Sequence, residues 1–300
     1  MTAVGAESTS DSRGRRCIWT TTLRLAVPCL PTGLVGARLA FVSDLHESKL
    51  YITRGELFEA LERAAPRLLL LGGDYSAGKP DTEAALDLLS ELSQRFVTFA
   101  VPGNADHYYR LDLEAAREHL RAGGGDLLTN ESRSVELGGA RIELVGLDDP
   151  EEGAVDVEAA LAGLSGAAAL RVALVHSPAA WQVLGRAGAH ILLCGHTHGG
   201  QVRPPGLEAP VTHLSYPARL AAGLFRYRED PRPGVDRLLS HWQILARRQS
   251  PVVASTAGGP LMYVSRGVGT AILGVRLLCP PELVLIELQA EEADGPAEQQ

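Results

Sequence analysis

Short runs of uninterrupted apolar residues recur along the chain: RLAFVS (38–43), RLLLLG (67–72), FVTFAV (96–101), RVALV (171–175) and HILLC (190–194). Continuous apolar character over so few residues is the pattern of a strand buried on both faces, not of a half-exposed one, which would alternate. Helical spacing fills the intervals. GELFEALERAA puts Leu57, Phe58 and Leu61 on one face, and DTEAALDLLSEL does the same with Ala85, Leu88, Leu89 and Leu92. TTTLRLAVPCL follows the Arg15-Arg16 pair but is broken by Arg24 and Pro28, so it reads as a strand and not as the apolar core of an export signal. ESRSVELGGARIELVGLDD is two runs joined by Gly138-Gly139, a hairpin signal, and PLMYVSRGVG and ELVLIEL close the pattern with two more strand-like runs.

An α/β centre with antiparallel strands at either end predicts two sheets packed together and flanked by helices. One domain is expected over residues 17–289, with loose polar tails at 1–16 and 290–300. Residues 226–259 are charged, punctuated by proline and only partly periodic, and they read as an insertion: a solvated surface excursion or a lid over a site.

Composition narrows the class. With 45% hydrophobic and 21% charged residues, 300 residues bury a sizeable core. The formal net charge of −8 disfavours nucleic acid, whose non-specific binding draws on Lys and Arg. Cys17, Cys29, Cys194 and Cys279 lie far apart without a C-x-x-C pair, so neither a zinc knuckle nor a disulfide framework is signalled, and a reducing, cytoplasmic compartment is expected. No stretch approaches the roughly 20 apolar residues of a membrane helix, which leaves only peripheral membrane contact.

The chemistry sits just past the apolar runs. RLAFVS is followed by Asp44 and His46, RLLLLGG by Asp74, FVTFAVPG by Asn104, RVALV by His176, and HILLCG by His196 and His198. Ligands in α/β sheets gather outside the carboxyl ends of strands, so these residues are expected to converge. Asp44 with His46, and His196 with His198, are i,i+2 pairs, which in extended chain share one side and can chelate. Mixed oxygen and nitrogen donors suit manganese, iron or zinc better than a thiolate or all-oxygen site. Seven candidate ligands exceed what one tetrahedral ion takes and are enough for two divalent ions sharing a carboxylate. Gly72, Gly73, Gly103, Gly195, Gly199 and Gly200 beside them suit sharp turns.

SDLH (43–46), GGD (72–74), GNAD (103–106), VHSP (175–178) and GHTH (195–198) resemble, in order, the signature of the calcineurin-like metallophosphoesterase superfamily. GHTHGGQVRPP, AAGLF, YVSRGVG and PPELVLIEL are similar to its bacterial branch of YkuE-like and YaeI-like phosphohydrolases. The resemblance spans roughly residues 18–289 and implies a four-layer αββα sandwich of two mixed sheets flanked by helices. It implies further that Asp44, His46 and His198 bind one metal, that Asn104, His176 and His196 bind the other, and that Asp74 bridges them. Two divalent ions, with Mn²⁺ foremost and Fe or Zn as alternatives, would then hold a bridging hydroxide that attacks a phosphodiester, phosphomonoester or pyrophosphate bond. The expected partner is a phosphorylated small molecule or a lipid-linked phosphate.

One position departs from the signature. The family's G-N-H-D carries a histidine that serves the leaving group, and here Ala105 stands in its place. His107 is the candidate substitute acid, with Asp106 either its partner or a residue that positions Asn104. Loss of the acid admits a competing reading, a metallophosphoesterase fold kept as a metal-binding or protein-binding scaffold, but decay would be expected to strike the ligands too and all seven are present. Arg203, beside GHTHGGQ, is weighed as a phosphate contact against an ordinary surface arginine.

Overall fold

In the computed structural model the described residues are 17–164, 166, 168–205, 207–210, 218–229, 234–247, 250–271 and 274–291. The segments expected as tails, 1–16 and most of 290–300, lie outside them. Fourteen strands and seven α-helices are formed among the described residues. The strands are β1 (Trp19–Val27), β2 (Arg38–Val42), β3 (Leu68–Leu71), β4 (Thr98–Ala100), β5 (Asp126–Leu127), β6 (Glu131–Leu137), β7 (Ala140–Gly146), β8 (Leu170–Leu174), β9 (Ile191–Cys194), β10 (Gly223–Arg228), β11 (Gly234–Ser240), β12 (Val252–Ser255), β13 (Leu261–Val264) and β14 (Glu282–Ala290). The helices are α1 (Arg54–Ala64), α2 (Thr82–Arg95), α3 (Asn104–Tyr109), α4 (Leu113–Ala122), α5 (Val157–Ala162), α6 (Val183–Ala187) and α7 (His241–Ala246).

Two mixed seven-stranded sheets result, in the orders β12-β1-β14-β2-β3-β4-β5 and β11-β10-β13-β9-β8-β7-β6. Their layering follows from side-chain alternation. In β2, Leu39 and Phe41 enter the core between the sheets, while Ala40 and Val42 enter a second core with Leu57 and Leu61 of α1 and Leu88 and Leu92 of α2. In β9, Ile191 and Leu193 face the same central core, and Leu192 and Cys194 face a third with Val183 and Leu184 of α6. Helix, sheet, sheet, helix is therefore the order of layers, and the apolar runs lack alternation because both faces of these strands are covered.

The helix start of α1 is set by a capping box in which Thr53 accepts from Glu56 N–H and the Glu56 carboxylate accepts from Thr53 N–H. The 226–259 segment, expected as a surface excursion or a lid, carries secondary structure of its own among the described residues. It holds the second half of β10 together with β11, α7 and β12, so it supplies edge strands to both sheets: β11 ends the second and β12 pairs in parallel with β1 at the edge of the first. Asp236 and Arg237 lie on the edge strand β11. Among the described residues no helix is long and apolar enough to cross a membrane.

Candidate metal centre

The seven candidate ligands come from both sheets. β2, β3 and β4 of the first deliver Asp44 with His46, Asp74 and Asn104; β8 and β9 of the second deliver His176, then His196 with His198. The strand-end loops are zipped together, since the N–H groups of Asp44, His46 and Glu47 donate to the carbonyls of Gly73, Asp74 and Tyr75, and Gly195 N–H donates to the His176 carbonyl. Gly73 has φ of +90°, and a Cβ there would come within 2.8 Å of His176 Nδ1 and 2.7 Å of Gly103 N, so only glycine lets these loops meet.

The extended-chain reading of the i,i+2 pairs does not hold. Asp44, His46, Asp74, His196 and His198 all have φ between +44° and +69°. Left-handed backbone at non-glycine residues costs energy and persists where the surroundings over-determine it, as this ladder of loop hydrogen bonds does. Consequently Asp44 and His46 stay together, whereas His196 and His198 part company.

Asp44, His46, Asp74 and His198 offer ligand atoms that all lie within 4.8 Å of one another, in a buried group. His46 Nε2 and His198 Nε2 face each other at 3.1 Å. His46 Nδ1 is 3.0 Å from the Ser76 carbonyl, so donation there leaves the Nε2 lone pair turned inward. His196 lies on the other side, with its Nδ1 2.8 Å from Asn104 Oδ1 and its ring perpendicular to that of His176, centroids 5.0 Å apart. Asp74 belongs to both groups. Its Oδ2 is 3.4 Å from His46 Nε2 and 3.3 Å from His176 Nε2.

These residues fit bound cations. His176 donates from Nδ1 to the Gly72 carbonyl at 2.6 Å, and its buried Nε2 has no hydrogen-bond partner among the described residues; neither has the buried Asp44 Oδ2. Buried acceptors left so cost about 1–3 kcal/mol each, and more when charged, unless a cation meets them. Burial opposes charge at both Asp74 and His176, yet His176, His46 and His196 hold the Asp74 carboxyl well below its usual range, and Asp74 holds His176 well above that of a free imidazole. Positive charge is what this pocket is arranged to receive.

Five of the seven candidate ligands line a single cleft of about 300 Å³, whose other walls include Lys49, Ala105, Tyr108, Tyr109 and Glu151. Asp44 and His176, both fully buried, lie beneath it.

The residues offered for proton delivery make other contacts. Asp106 is fully buried and accepts the N–H groups of Asp74 and Gly103 on Oδ2 and of Tyr75 on Oδ1, at 2.8–2.9 Å, so it clamps the Asp74 loop and is bonded to neither His107 nor Asn104. Burial, reinforced by Asp74, raises its carboxyl to about 6. His107 points its Nε2 at Asp148 Oδ1, 2.6 Å away, and is not among the residues lining the cleft. Arg203 is neither a surface residue nor a lining one. It is 1% exposed, and its guanidinium donates to the Gly199 carbonyl and to Glu208.

Sequence reasoning missed Glu151. Its Oε1 lies 3.1 Å from His196 Nε2, the nitrogen opposite the one that meets Asn104, and Ser177 Oγ donates to it at 3.4 Å. A carboxylate there fixes the imidazole tautomer and raises its basicity toward a metal. The hydrogen bond to His196 holds the Glu151 carboxyl below its usual range, against the opposing effect of burial.

Imidazoles and carboxylates gathered at strand ends from two facing sheets make a candidate metal centre, and the family match makes it that of a phosphoester hydrolase. Residues 37–200 match the family described as calcineurin-like phosphoesterase, and the chain belongs to that family. It is 29% identical over 257 residues to "Phosphodiesterase YaeI" of Escherichia coli (strain K12), covering 84% of this chain and 82% of that one. It is 27% identical over 269 residues to "Uncharacterized metallophosphoesterase YkuE" of Bacillus subtilis (strain 168), covering 87% and 82%.

Proposed function

We propose that the protein is a dinuclear phosphohydrolase acting on phosphodiester bonds, with Asp44, His46 and His198 around one divalent ion, Asn104, His176 and His196 around the other, and Asp74 common to both. The observation that carries this reading is the placement of Asp74 Oδ2 at nearly equal distances from His46 and His176. The name of the Escherichia coli relative favours diesters over the monoester and pyrophosphate alternatives. Manganese is the ion this donor set best suits, with iron or zinc as substitutes.

Two divalent ions held there would make a water nucleophilic near neutral pH and offset charge on the phosphoryl oxygens. The chain's own part is positioning. His46 and His176 are locked by their bonds to the Ser76 and Gly72 carbonyls, so neither ring must reorient when the site fills. Asp44 Oδ1 accepts from His196 N–H at 2.9 Å, which ties one metal group to the other. Ala105 donates its backbone N–H to Asp74 Oδ1 at 2.8 Å, and its side chain has no proton to give a departing oxygen. The substrates that suit such a site are those whose leaving group departs without protonation.

The experiment is hydrolysis of a panel of aryl and alkyl diesters, monoesters and pyrophosphates with added Mn²⁺, Fe²⁺ or Zn²⁺. Diester cleavage that needs metal and is abolished in Asp74→Asn is the expected result. Metal uptake without turnover of any ester would overturn it in favour of a binding scaffold.

A further inference from the structure

Helix α3 begins at Asn104, and its periodicity separates two sets of side chains. Asn104, Ala105, Tyr108 and Tyr109 stand at i, i+1, i+4 and i+5 and all line the cleft. Asp106 and His107 lie between them in sequence and face the Asp74 loop and Asp148. The residue three positions past the vacant acid position, and the next one, are thus both aromatic and both on the face that lines the cleft. Tyr108 is 66% exposed, and its ring meets that of Tyr109 edge to face at 5.1 Å. A large aromatic side chain held open beside a polar centre is a surface for a ligand.

Lys49 adds charge. It ends the turn that follows His46, lines the same cleft, and its ammonium makes no ion pair among the described residues, in a chain of net charge −8. Any anion entering beside the metal groups finds this cation free to meet it.

We propose that Tyr108 and Tyr109 form a subsite for a planar aromatic ring carried by the substrate and that Lys49 serves a further negative charge beside it, so that the substrate class is a phosphodiester bearing a nucleotide-like ring. The proposal rests on the phosphohydrolase reading for the bond that is cut, but not for the binding of the ring.

The test is equilibrium binding to the Mn²⁺-loaded protein of adenosine monophosphate and of ribose 5-phosphate, which carries the phosphate without the ring. Stacking of one base is worth about 1–3 kcal/mol, so native protein is expected to prefer the nucleotide by about 5- to 150-fold. Tyr108→Ala should bring that preference down to about twofold or less, Tyr108→Phe should keep it, and metal content should be the same in all three. Lys49→Ala should weaken the nucleotide more than adenosine, and only at low salt. Equal affinity of native protein for the two ligands, or an undiminished preference in Tyr108→Ala, overturns the subsite. Because binding is read without turnover, a protein that prefers the ring but cleaves no ester refutes the phosphohydrolase reading alone, and an active enzyme indifferent to the ring refutes this one alone.

Discussion

His107 Nε2 lies 2.6 Å from Asp148 Oδ1, and the same Asp148 carboxylate accepts the N–H groups of Asp149 and Ala154 at 2.9 Å. The pair therefore fastens α3, which carries Asn104, to the loop that carries Glu151. It is a brace between two walls of the cleft.

The brace is pH-dependent. The hydrogen bond to Asp148 raises the pKa of His107 above that of a free imidazole, with burial working against it. A histidine raised in the folded state contributes stability that is complete below its unfolded pKa of about 6.5 and is lost as pH rises through the folded value. The melting temperature of His107→Gln should fall below native by about 2–4 °C near pH 6 and converge on it toward pH 9. A gap that is constant with pH would show that the ion pair is not its source.

Asp74 should matter to metal content more than any other ligand, since its Oδ2 faces both groups. After manganese loading, Asp74→Ala is expected to hold close to no metal and His46→Ala close to one ion per chain, as measured by elemental analysis. Equal partial losses in the two variants would remove Asp74 from its shared role.

Glu151 acts on metal through His196. Removing such a partner typically lowers metal affinity about 10- to 100-fold, so Glu151→Ala should do so in a manganese titration while Glu151→Gln, which keeps an acceptor for His196, should lose less. Matching losses in both would mean that charge and not orientation is what Glu151 supplies, and native affinity in both would mean it supplies nothing.

Restoring a histidine at position 105 should change which esters are cleaved. A general acid contributes about 10²- to 10⁴-fold when the departing oxygen is strongly basic, and almost nothing for nitrophenolate. Ala105→His is expected to raise alkyl-ester hydrolysis relative to nitrophenyl-ester hydrolysis, whereas His107→Ala, whose ring is not in the cleft wall, should leave the ratio as it is. A drop in the ratio on His107→Ala would return His107 to the reaction.

How far the sequence reached is clearest at particular residues. The five apolar runs became β2, β3, β4, β8 and β9 because burial on both faces writes itself into consecutive positions such as Leu68–Leu71. Polar residues following such runs were legible for the same reason: Asp44, Asp74 and His176 are buried where chain composition gives no apolar reason for it. The left-handed backbone at Asp44, His46, His196 and His198 was not legible, because it is imposed by loops more than 100 residues apart, as when Asp44 Oδ1 accepts from His196 N–H. Glu151 lies in a loop without periodicity or motif, so only its place beside His196 distinguishes it from other acidic residues. Arg203 hid its burial because its partners are a carbonyl and one carboxylate brought close by folding. The edge strand β11 was hidden by Asp236 and Arg237, charges of the kind that keep an edge from pairing further.

The strand order of the first sheet sets a timetable. β14 lies between β1 and β2, pairing with β1 over residues 282–290 and with β2 over residues 284–287, so the sheet that carries Asp44 and Asp74 cannot close until a segment some 240 residues downstream is available. Contacts so distant along the chain make folding slow, and on the ribosome they postpone it. A nascent chain therefore displays Asp44, His46 and Asp74 long before β14 is made and the sheet that fixes them can be completed.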